Sequence, residues 1–326
     1  MHRKKKSRLF LLSLGAILLA GSLALLGQLL SATPARAGMP VPVHEFPSPL
    51  LLCGERVPLE RQDVWEMMDQ AFVLSVYNQD QVILWIKRAN RYFPHIERRL
   101  RERKMPDDIK YVAVVESSLR TYAVSSAKAT GPWQFMEKTA RRYGLRVDGA
   151  IDERLNFEKA TEAALNYLEE LHRQFGSWGL ALAAYNCGED RVAKSLEMQQ
   201  AAGYYDLDLP QETERYIFRI LSAKVILTNP ERYGYRTSAI RVYPVVETDR
   251  IELHAHREVH VNVIARACGT NYKTIRELNP EIRNSSLPPG RYSLKVPKGT
   301  AKDFRENFEK ALAQEQPPKN GSKKKM

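Results

Sequence analysis

Cysteine is scarce in this sequence, with three residues among 326. That number excludes a small secreted fold held together by many disulfides, and it excludes a zinc site built from four cysteines of one chain. Glycine and proline, at 17 and 18 residues, are too few for a collagen-like or low-complexity chain. The composition therefore predicts an ordinary folded chain with room for about two domains.

The sequence also lacks an excess of acidic residues, and its formal net charge is +12. The positive charge is concentrated at the two ends of the chain. Residues 1–37 contain six basic residues and no acid, and residues 319–326 contain four lysines. The body between them, residues 38–318, therefore has a net charge of only +2. This argues against a basic face that binds nucleic acid, so we expect no nucleic-acid partner.

Residues 1–37 have the pattern of an export segment. A basic start precedes an apolar run of 22 residues, Leu9 to Leu30, and Ala35-Arg36-Ala37 matches a small-residue cleavage site. The run is long enough to span a bilayer. A cleaved signal peptide and a retained membrane anchor are both open, and both place the rest of the chain outside the cytoplasm. A buried core helix is the third interpretation.

An oxidising compartment outside the cytoplasm allows one disulfide among the three cysteines. We expect Cys53 with Cys187, although the sequence does not fix the pairing.

Helical periodicity covers most of the chain up to about residue 233, and shorter alternating runs follow. One helical segment begins at Asp63 and another at Pro106-Asp107-Asp108. The others are Asp80–Tyr92, Thr161–Phe175, Trp178–Tyr185, Glu189–Met198 and Glu212–Thr228, and Pro94–Lys104 is a basic stretch between two of them. Strand-like alternation is found at 240–246, 251–260 and 292–296, with short helices at 263–268 and 272–278. The pattern predicts a mainly α protein with a small β-α-α-β module near the C-terminus.

One carboxyl group stands out on the helix that begins near Asp107. Ile109, Val112, Ala113 and Glu116 are spaced i, i+3, i+4 and i+7, which places Glu116 on an apolar helix face. Burial disfavours the charged form of a carboxyl group and raises its pKa, so such a residue can serve as a general acid near neutral pH. The alternative is a glutamate at a helix end that reaches water or pairs with an arginine.

Four blocks of sequence around this residue support the first interpretation. They are Glu116-Ser117-Ser118-Leu119; Ser125 and Ala129 with Gly131-Pro132-Trp133-Gln134-Phe135-Met136; Ala184-Tyr185-Asn186-Cys187-Gly188; and Pro210-Gln211-Glu212-Thr213-Glu214-Arg215-Tyr216. In this order they resemble the blocks of the soluble lytic transglycosylase family, which belongs to glycoside hydrolase family 23, and most closely its membrane-bound type D branch. The resemblance covers residues 95–235.

The resemblance implies a lysozyme-like helical catalytic domain that cleaves the β-1,4 bond between N-acetylmuramic acid and N-acetylglucosamine without water. Glu116 would be the single acid and then the base, and the product would carry a 1,6-anhydro end. No cofactor or metal is implied. The residues implied to contact substrate or line the cleft are Ser117, Ser125, Gln134, Met136, Tyr185, Asn186 and Tyr216. We expect Trp133 to pack in the core. Lys128 departs from the pattern because it stands where the family usually has glycine, and a positive φ there would strain a lysine.

Residues 250–298 resemble a LysM domain, a small module that binds peptidoglycan or chitin. The likeness lies in Val263-Ile264-Ala265, in Thr274-Ile275-Arg276-Glu277-Leu278-Asn279-Pro280 and in Leu287-Pro288-Pro289-Gly290. Val259-His260-Val261 replaces the family's Gly-Asp-Thr, so the fold is expected more strongly than glycan binding. His254, His256 and His260 lack matching cysteine or acidic ligands, which favours solvated strand residues over a metal site.

These inferences predict a domain order along the chain. It comprises a signal peptide or anchor over 1–37, a Pro-rich linker over 38–62, a helical extension over 63–105, the catalytic domain over 106–236 and the LysM-like module over 237–300. A tail over 301–326 runs through a weak helix into a basic, disordered end. We expect an enzyme of a Gram-negative periplasm that acts on peptidoglycan strands, held at the inner membrane if residues 1–37 are retained. Two alternatives are a goose-type hydrolytic lysozyme, for which Asp148, Asp152 and Glu189 offer further carboxylates, and an inactive wall-binding scaffold.

Overall fold

A computed structural model of the chain describes residues 44–314. The chain divides into two compact units, Met1–Glu45 and Phe46–Met326. Only His44 and Glu45 of the first unit are among the described residues, so the account below concerns the second unit. The predicted export segment and the lysine-rich end of the tail lie outside the described residues. Among residues 44–314, no helix combines the length and the apolar character that crossing a membrane requires.

Helices dominate the described part of the chain, and six short strands accompany them. The helices are α1 (Gln62–Val76), α2 (Gln79–Glu102), α3 (Lys110–Ser117), α4 (Glu137–Arg142), α5 (Phe157–Phe175), α6 (Trp178–Cys187), α7 (Glu189–Gln199), α8 (Gln211–Thr228), α9 (Val261–Ala267), α10 (Tyr272–Leu278) and α11 (Phe304–Ala313). The strands are β1 (Leu51–Leu52), β2 (Glu55–Arg56), β3 (Thr248–Ala255), β4 (Val259–His260), β5 (Ser286–Leu287) and β6 (Gly290–Pro297). The mainly α prediction is confirmed.

Helix α3 lies at the centre of the larger hydrophobic core. All of its residues from Lys110 to Val115 are buried, and it packs against α8, which also packs along α1. A 3₁₀ turn over Asp107–Ile109 leads into it. The helix ends abruptly because Ser118 and Leu119 both adopt left-handed backbone, with φ of 55° and 59°. The Leu119 N–H then donates to the carbonyl oxygen of Ala113, at 3.2 Å, which closes the helix end.

Two segments differ from the sequence prediction. Helix α2 continues through Pro94 to Glu102, where the sequence indicated a helix to Tyr92 and a separate basic stretch. Arg99 and Arg103 in its last turns both pair with Glu162 of α5, which anchors this extension. The strand predicted over 240–246 was wrong, because its backbone is bonded to α2 rather than to another strand.

Side chains of α2 hold this linker segment in place. Lys87 Nζ donates to the carbonyl of Arg241 at 2.9 Å, and Asn90 Nδ2 donates to that of Tyr243 at 2.9 Å. Arg91 Nε donates to the carbonyl of Pro244 at 2.9 Å. These donors lie on a helix about 150 residues earlier in the chain. The alternation of apolar and polar residues in the segment therefore could not predict these hydrogen bonds.

A second hydrophobic core belongs to the C-terminal module. Strands β3 and β6 pair antiparallel from Thr248 opposite Pro297 to Ala255 opposite Gly290, and α9 and α10 lie between them in sequence. The predicted β-α-α-β order is therefore confirmed. The weak helix expected at the start of the tail is found as α11, which buries Phe304 and Phe308 against this core.

The module also takes in part of the helical domain. Ala150 and Ile151 are buried in its core, and Ile151 forms an antiparallel bridge with Ile282. At this junction Asn156 Nδ2 donates to Glu281 Oε1 at 2.7 Å. Glu281 is buried, and burial raises the pKa of its carboxyl group. The two domains are thus joined by shared core residues and by a buried polar contact.

All three cysteines of the sequence are described, and all three are unpaired. The predicted disulfide between Cys53 and Cys187 was wrong. Cys53 lies in the tight β1–β2 turn with a φ of 53°, where its N–H donates to Asp108 Oδ2 at 2.7 Å. Burial raises the pKa of its thiol well above the usual range. Packing thus accounts for this cysteine without a covalent partner.

Candidate active site

Glu116 occupies the last turn of α3, facing α8. Its neighbour there is Tyr216, whose hydroxyl donates a hydrogen bond to Glu116 Oε1 at 2.5 Å. Tyr216 is buried, and burial raises the pKa of its phenol well above 10, so it stays protonated and donates at neutral pH. Two helices of one core therefore fix the orientation of this carboxyl group.

Burial raises the pKa of Glu116 from 4.5 to about 7. The hydrogen bond from Tyr216 and the positive charge of Arg219 lower the pKa, and the negative charge of Glu212 raises it again. Desolvation is the largest of these effects. A substantial fraction of Glu116 is therefore protonated at neutral pH, which is the state required of a general acid.

A cavity of about 520 Å³ opens in front of Glu116. Seven of the eight residues predicted for the site line it: Glu116, Ser125, Gln134, Met136, Tyr185, Asn186 and Tyr216. They come from α3, α6, α8 and the loop between α3 and α4. Residues from all four sequence blocks thus line one cavity in the fold.

Ser117 is the residue that the structure does not bring to this cavity. It is buried, and its Oγ lies 2.8 Å from the carbonyl oxygen of Pro132, to which it donates. Ser117 Oγ also accepts from the N–H of Arg120 at 3.1 Å. Ser117 therefore ties the end of α3 to the following loop, and its geometry supports a positioning role rather than a substrate contact.

The loop between α3 and α4 is held in shape by its own polar groups. Ser125 Oγ accepts from the N–H of Ala129 at 3.0 Å, and Gln134 Nε2 donates to the carbonyl of Gly131 at 2.8 Å. Gly131 has a φ of 88°, and a Cβ added there would lie 1.9 Å from the carbonyl oxygen of Arg154. Glycine is required at this position because the backbone of Arg154, in the segment that precedes α5, packs directly against it.

Lys128 adopts a φ of 66° in this loop. The positive φ considered for this position from the sequence is confirmed. Left-handed backbone is strained for lysine because its Cβ lies close to the following carbonyl oxygen, and glycine has no Cβ. The carbonyl oxygen of Lys128 accepts from Thr130 Oγ1 at 3.1 Å and from a nitrogen of Arg154 at 3.3 Å. These contacts keep the turn in place despite the penalty.

Aromatic residues form one wall of the cavity. The Tyr185 hydroxyl donates to the carbonyl of Trp133 at 2.8 Å, and its ring lies 5.3 Å from that of Tyr167. Trp133 itself is fully buried and donates to Thr161 Oγ1 at 3.0 Å, so its predicted core position is confirmed. Asn186 Oδ1 accepts from Thr213 Oγ1 at 2.8 Å, which links α6 to α8. Hydrogen bonds and ring contacts to the core therefore hold this wall of the cavity in place.

The cavity contains residues that sequence reasoning did not assign to the site. Tyr167, Glu212 and Arg219 line it, as does Glu189, which had been considered only for a hydrolytic alternative. Glu212 lies within the fourth sequence block, which was the available signal for it. Tyr167 and Arg219 lie outside the quoted blocks, and only the packing of α5 and α8 brings them here.

Asp148 and Asp152 lie away from this cavity. Asp148 pairs with Arg146 at 2.5 Å, and Asp152 makes a buried pair with Arg154 at 2.8 Å. Both carboxylates are held by arginines that organise the loop after α4. Among the described residues, no cluster of histidine, cysteine and acidic side chains has the arrangement of a metal site.

Family models match two parts of this chain. Residues 93–207 match the transglycosylase SLT domain, and residues 247–313 match the LysM-like domain of lytic transglycosylase MltD. The chain belongs to the SLT family of lytic transglycosylases. The first match contains Glu116 and most residues of the cavity, and the second includes α11.

Known proteins show the same relationship. Membrane-bound lytic murein transglycosylase D from two strains of Escherichia coli, K12 and O6:H1, is 33% identical over 229 residues, which is 68% of this chain. The chain spans 49% of the length of these curated relatives. Among solved structures, an inactive mutant of the lytic transglycosylase Slt of Pseudomonas aeruginosa matches 44% of this chain and 25% of its own, with 24% identity and a TM-score of 0.36. The 70 kDa soluble lytic transglycosylase of Escherichia coli matches 53% of this chain and 32% of its own, with 20% identity and a TM-score of 0.39.

Proposed function

We propose that this SLT-family chain is a peptidoglycan lytic transglycosylase. It cleaves the β-1,4 bond between N-acetylmuramic acid and N-acetylglucosamine and leaves a 1,6-anhydro end. The observation that carries the proposal is the Glu116 carboxyl group, which has a pKa of about 7 and lies in a cavity against the hydroxyl of Tyr216.

The proposed reaction uses Glu116 twice. In the first step its protonated carboxyl group donates a proton to the glycosidic oxygen, and the bond from that oxygen to C1 of the muramic acid breaks. The 2-acetamido group of the substrate stabilises the positive charge at C1, as in substrate-assisted glycosidases. In the second step the Glu116 carboxylate removes the proton of the 6-hydroxyl group, whose oxygen bonds to C1. The proton lost in the first step is regained, and water is not consumed.

Glu189 is a second carboxylate that lines the cavity. Ordinary retaining glycosidases pair an acid with a second carboxylate about 5 Å away. Glu189 accepts hydrogen bonds from Arg142 at 2.7 Å and from Tyr167 at 2.8 Å. These contacts, together with local backbone, outweigh its burial and lower its pKa. Both Glu189 oxygens are therefore held by protein donors. A hydrolase would also need an ionised second carboxylate, so the preference for the transglycosylase over the hydrolytic lysozyme rests on the similarity to the SLT domain and to transglycosylase D.

The location and partners belong to the same proposal. A lytic transglycosylase requires contact with the cell wall, and the export pattern of residues 1–37 supplies it. We place the enzyme in the periplasm of a Gram-negative bacterium, with peptidoglycan strands as its substrate. Retention of residues 1–37 would hold it at the inner membrane. The inactive-scaffold alternative is disfavoured by the raised pKa of Glu116 in an open cavity.

Product analysis tests the proposal directly. Purified sacculi are digested with the full-length chain, with Glu116→Gln and with Glu137→Gln, and the soluble muropeptides are identified by mass spectrometry. Glu137 is a suitable control because it is an exposed glutamate on α4, paired with Arg141. Anhydro-muropeptides are expected from the wild type and from Glu137→Gln, with a loss of at least about 100-fold for Glu116→Gln. Equal product from both variants, or no product from the wild type, would contradict the proposal.

A further inference from the structure

A second cavity, separate from the catalytic one, is lined by three arginines and by no acidic residue. Its volume is about 320 Å³, and the lining residues are Arg88, Arg91, Tyr92, Leu119, Arg120, Thr121, Tyr122, Ala123 and Tyr243. None of them lines the cavity around Glu116. At about 30 Å³ for each water in the liquid, the space holds on the order of ten waters, enough for one compact polar group.

The three arginines come from two separate parts of the sequence and line one cavity. Arg88 and Arg91 are on α2, and Arg120 follows the end of α3. Each uses a single side-chain nitrogen in a hydrogen bond to protein, and each of those bonds is to a backbone carbonyl. Arg88 Nη1 donates to Ser118 at 3.1 Å, Arg91 Nε to Pro244 at 2.9 Å and Arg120 Nε to Ser117 at 3.0 Å.

A guanidinium group has five N–H donors, so most donors of these three arginines are not taken by the part of the chain that the structure describes. Within residues 44–314 none of the three arginines forms an ion pair with a carboxylate, unlike Arg99, Arg103 and Arg154 elsewhere in the fold. Burial lowers the pKa of Arg88, and the nearby charge of Arg120 lowers it further. The protein thus places like charges around one cavity, with Arg120 exposed to solvent, and an anion bound there would offset their mutual repulsion.

The remaining walls suit a planar or tetrahedral oxyanion. Tyr243 lies under Arg91, with the guanidinium carbon 5.4 Å from the ring centroid, and this contact fixes the direction of the arginine. Tyr122 is tied to the C-terminal module by a hydrogen bond from its hydroxyl to the carbonyl of Arg276 at 3.2 Å. The helical domain and the linker therefore line the cavity, and the module holds one of its lining residues, Tyr122.

We propose that this arginine cavity, formed by Arg88, Arg91 and Arg120, is a binding site for a multiply charged oxyanion. Phosphate and clustered carboxylates share the required chemistry, because arginine binds both through paired N–H donors. The site lies beside the turn that ends α3, so an anion held there contacts the same segment that positions Glu116. Binding is a property of the folded chain and does not depend on the proposed cleavage of peptidoglycan.

Calorimetric titration of the full-length chain at constant ionic strength tests the proposal. The two probes are inorganic phosphate and tricarballylate, which carries three carboxylates. Saturable binding of at least one probe is expected, and Arg120→Gln is expected to weaken it by at least about tenfold because a charge-assisted hydrogen bond is lost. A preference for phosphate would assign a phosphate-bearing ligand, and a preference for tricarballylate would assign a carboxylate-bearing one.

Two further variants make the result decisive. Arg250→Gln removes the same charge from β3, where Arg250 is exposed and its guanidinium donates to Ser293 Oγ at 3.4 Å. This control is expected to bind as the wild type does. Arg91→Gln replaces Arg120→Gln if that variant fails to unfold cooperatively in thermal denaturation. Absence of saturable binding by both probes would overturn the proposal, as would equal weakening by Arg250→Gln.

Discussion

Removal of the Tyr216 hydroxyl is the most informative change near the proposed acid. In Tyr216→Phe the hydrogen bond to Glu116 Oε1 is lost, while the buried ring is retained. That bond favours the charged carboxylate and so lowers the pKa of Glu116. A hydrogen bond to a charged group contributes about 1.5–3 kcal/mol, and one pKa unit corresponds to about 1.4 kcal/mol. The variant should therefore raise the pKa of Glu116 from about 7 by about one to two units.

The pH dependence of catalysis reports this shift. The first step needs protonated Glu116, so kcat/KM should fall as the pH rises through the pKa of the free enzyme. The alkaline limb of the profile should lie near pH 7 in the wild type. It should move upward by about one to two units in Tyr216→Phe. The assay is the release of soluble muropeptides from sacculi at limiting substrate across the pH range.

A matched tyrosine controls for the loss of a buried hydroxyl. The Tyr235 hydroxyl donates to the carbonyl of Val76 at 2.5 Å, and Tyr235 does not line the catalytic cavity. Tyr235→Phe should leave the alkaline limb where it is in the wild type. A limb that stays in place or moves to lower pH in Tyr216→Phe would refute the assignment of Glu116 as the acid whose pKa Tyr216 controls.

Three further predictions concern stability. Lys128→Gly removes a lysine from left-handed backbone and should stabilise the chain by about 0.5–1 kcal/mol in thermal denaturation, with wall-cleaving activity unchanged. Gly131→Ala places a Cβ against the Arg154 carbonyl and should cost about 3 kcal/mol or more, whereas Gly144→Ala, at φ 83° in open space, should cost about 1 kcal/mol. The pKa of Glu281 is raised by burial, so its contribution to stability is full below its unfolded pKa of about 4.3 and declines as the pH rises to its folded pKa. Glu281→Gln should remove that decline in denaturant unfolding at a series of pH values, and an unchanged slope would contradict the assignment.

The helical part of the fold was largely predictable because its helices are amphipathic and end at clear signals. The spacing of Ile109, Val112, Ala113 and Glu116 correctly indicated a glutamate on an apolar face, and α10 has the predicted bounds, Tyr272–Leu278. The predicted strand over 240–246 failed because alternation of apolar residues is also produced by a linker whose carbonyls are bonded to α2. Such contacts link residues about 150 positions apart and leave no local trace.

The candidate site shows the same division. Family blocks identified the residues of the cavity that lie near Glu116 in sequence or in a quoted motif. Tyr167 and Arg219 were missed because each is an ordinary helix residue until α5 and α8 pack. Ser117 lies outside the cavity, and its Oγ donates to the carbonyl of Pro132. A block indicates which residues recur together and not which way each side chain points.

Digestion of sacculi in water enriched in oxygen-18 tests the central claim most directly. In the proposed reaction the 6-hydroxyl oxygen of the substrate forms the new bond to C1, so the solvent supplies no atom to the product. The account predicts anhydro-muropeptides with the same mass in ordinary and in labelled water. Products heavier by one labelled water would show that water attacks C1, and they would contradict the assignment of this chain as a transglycosylase.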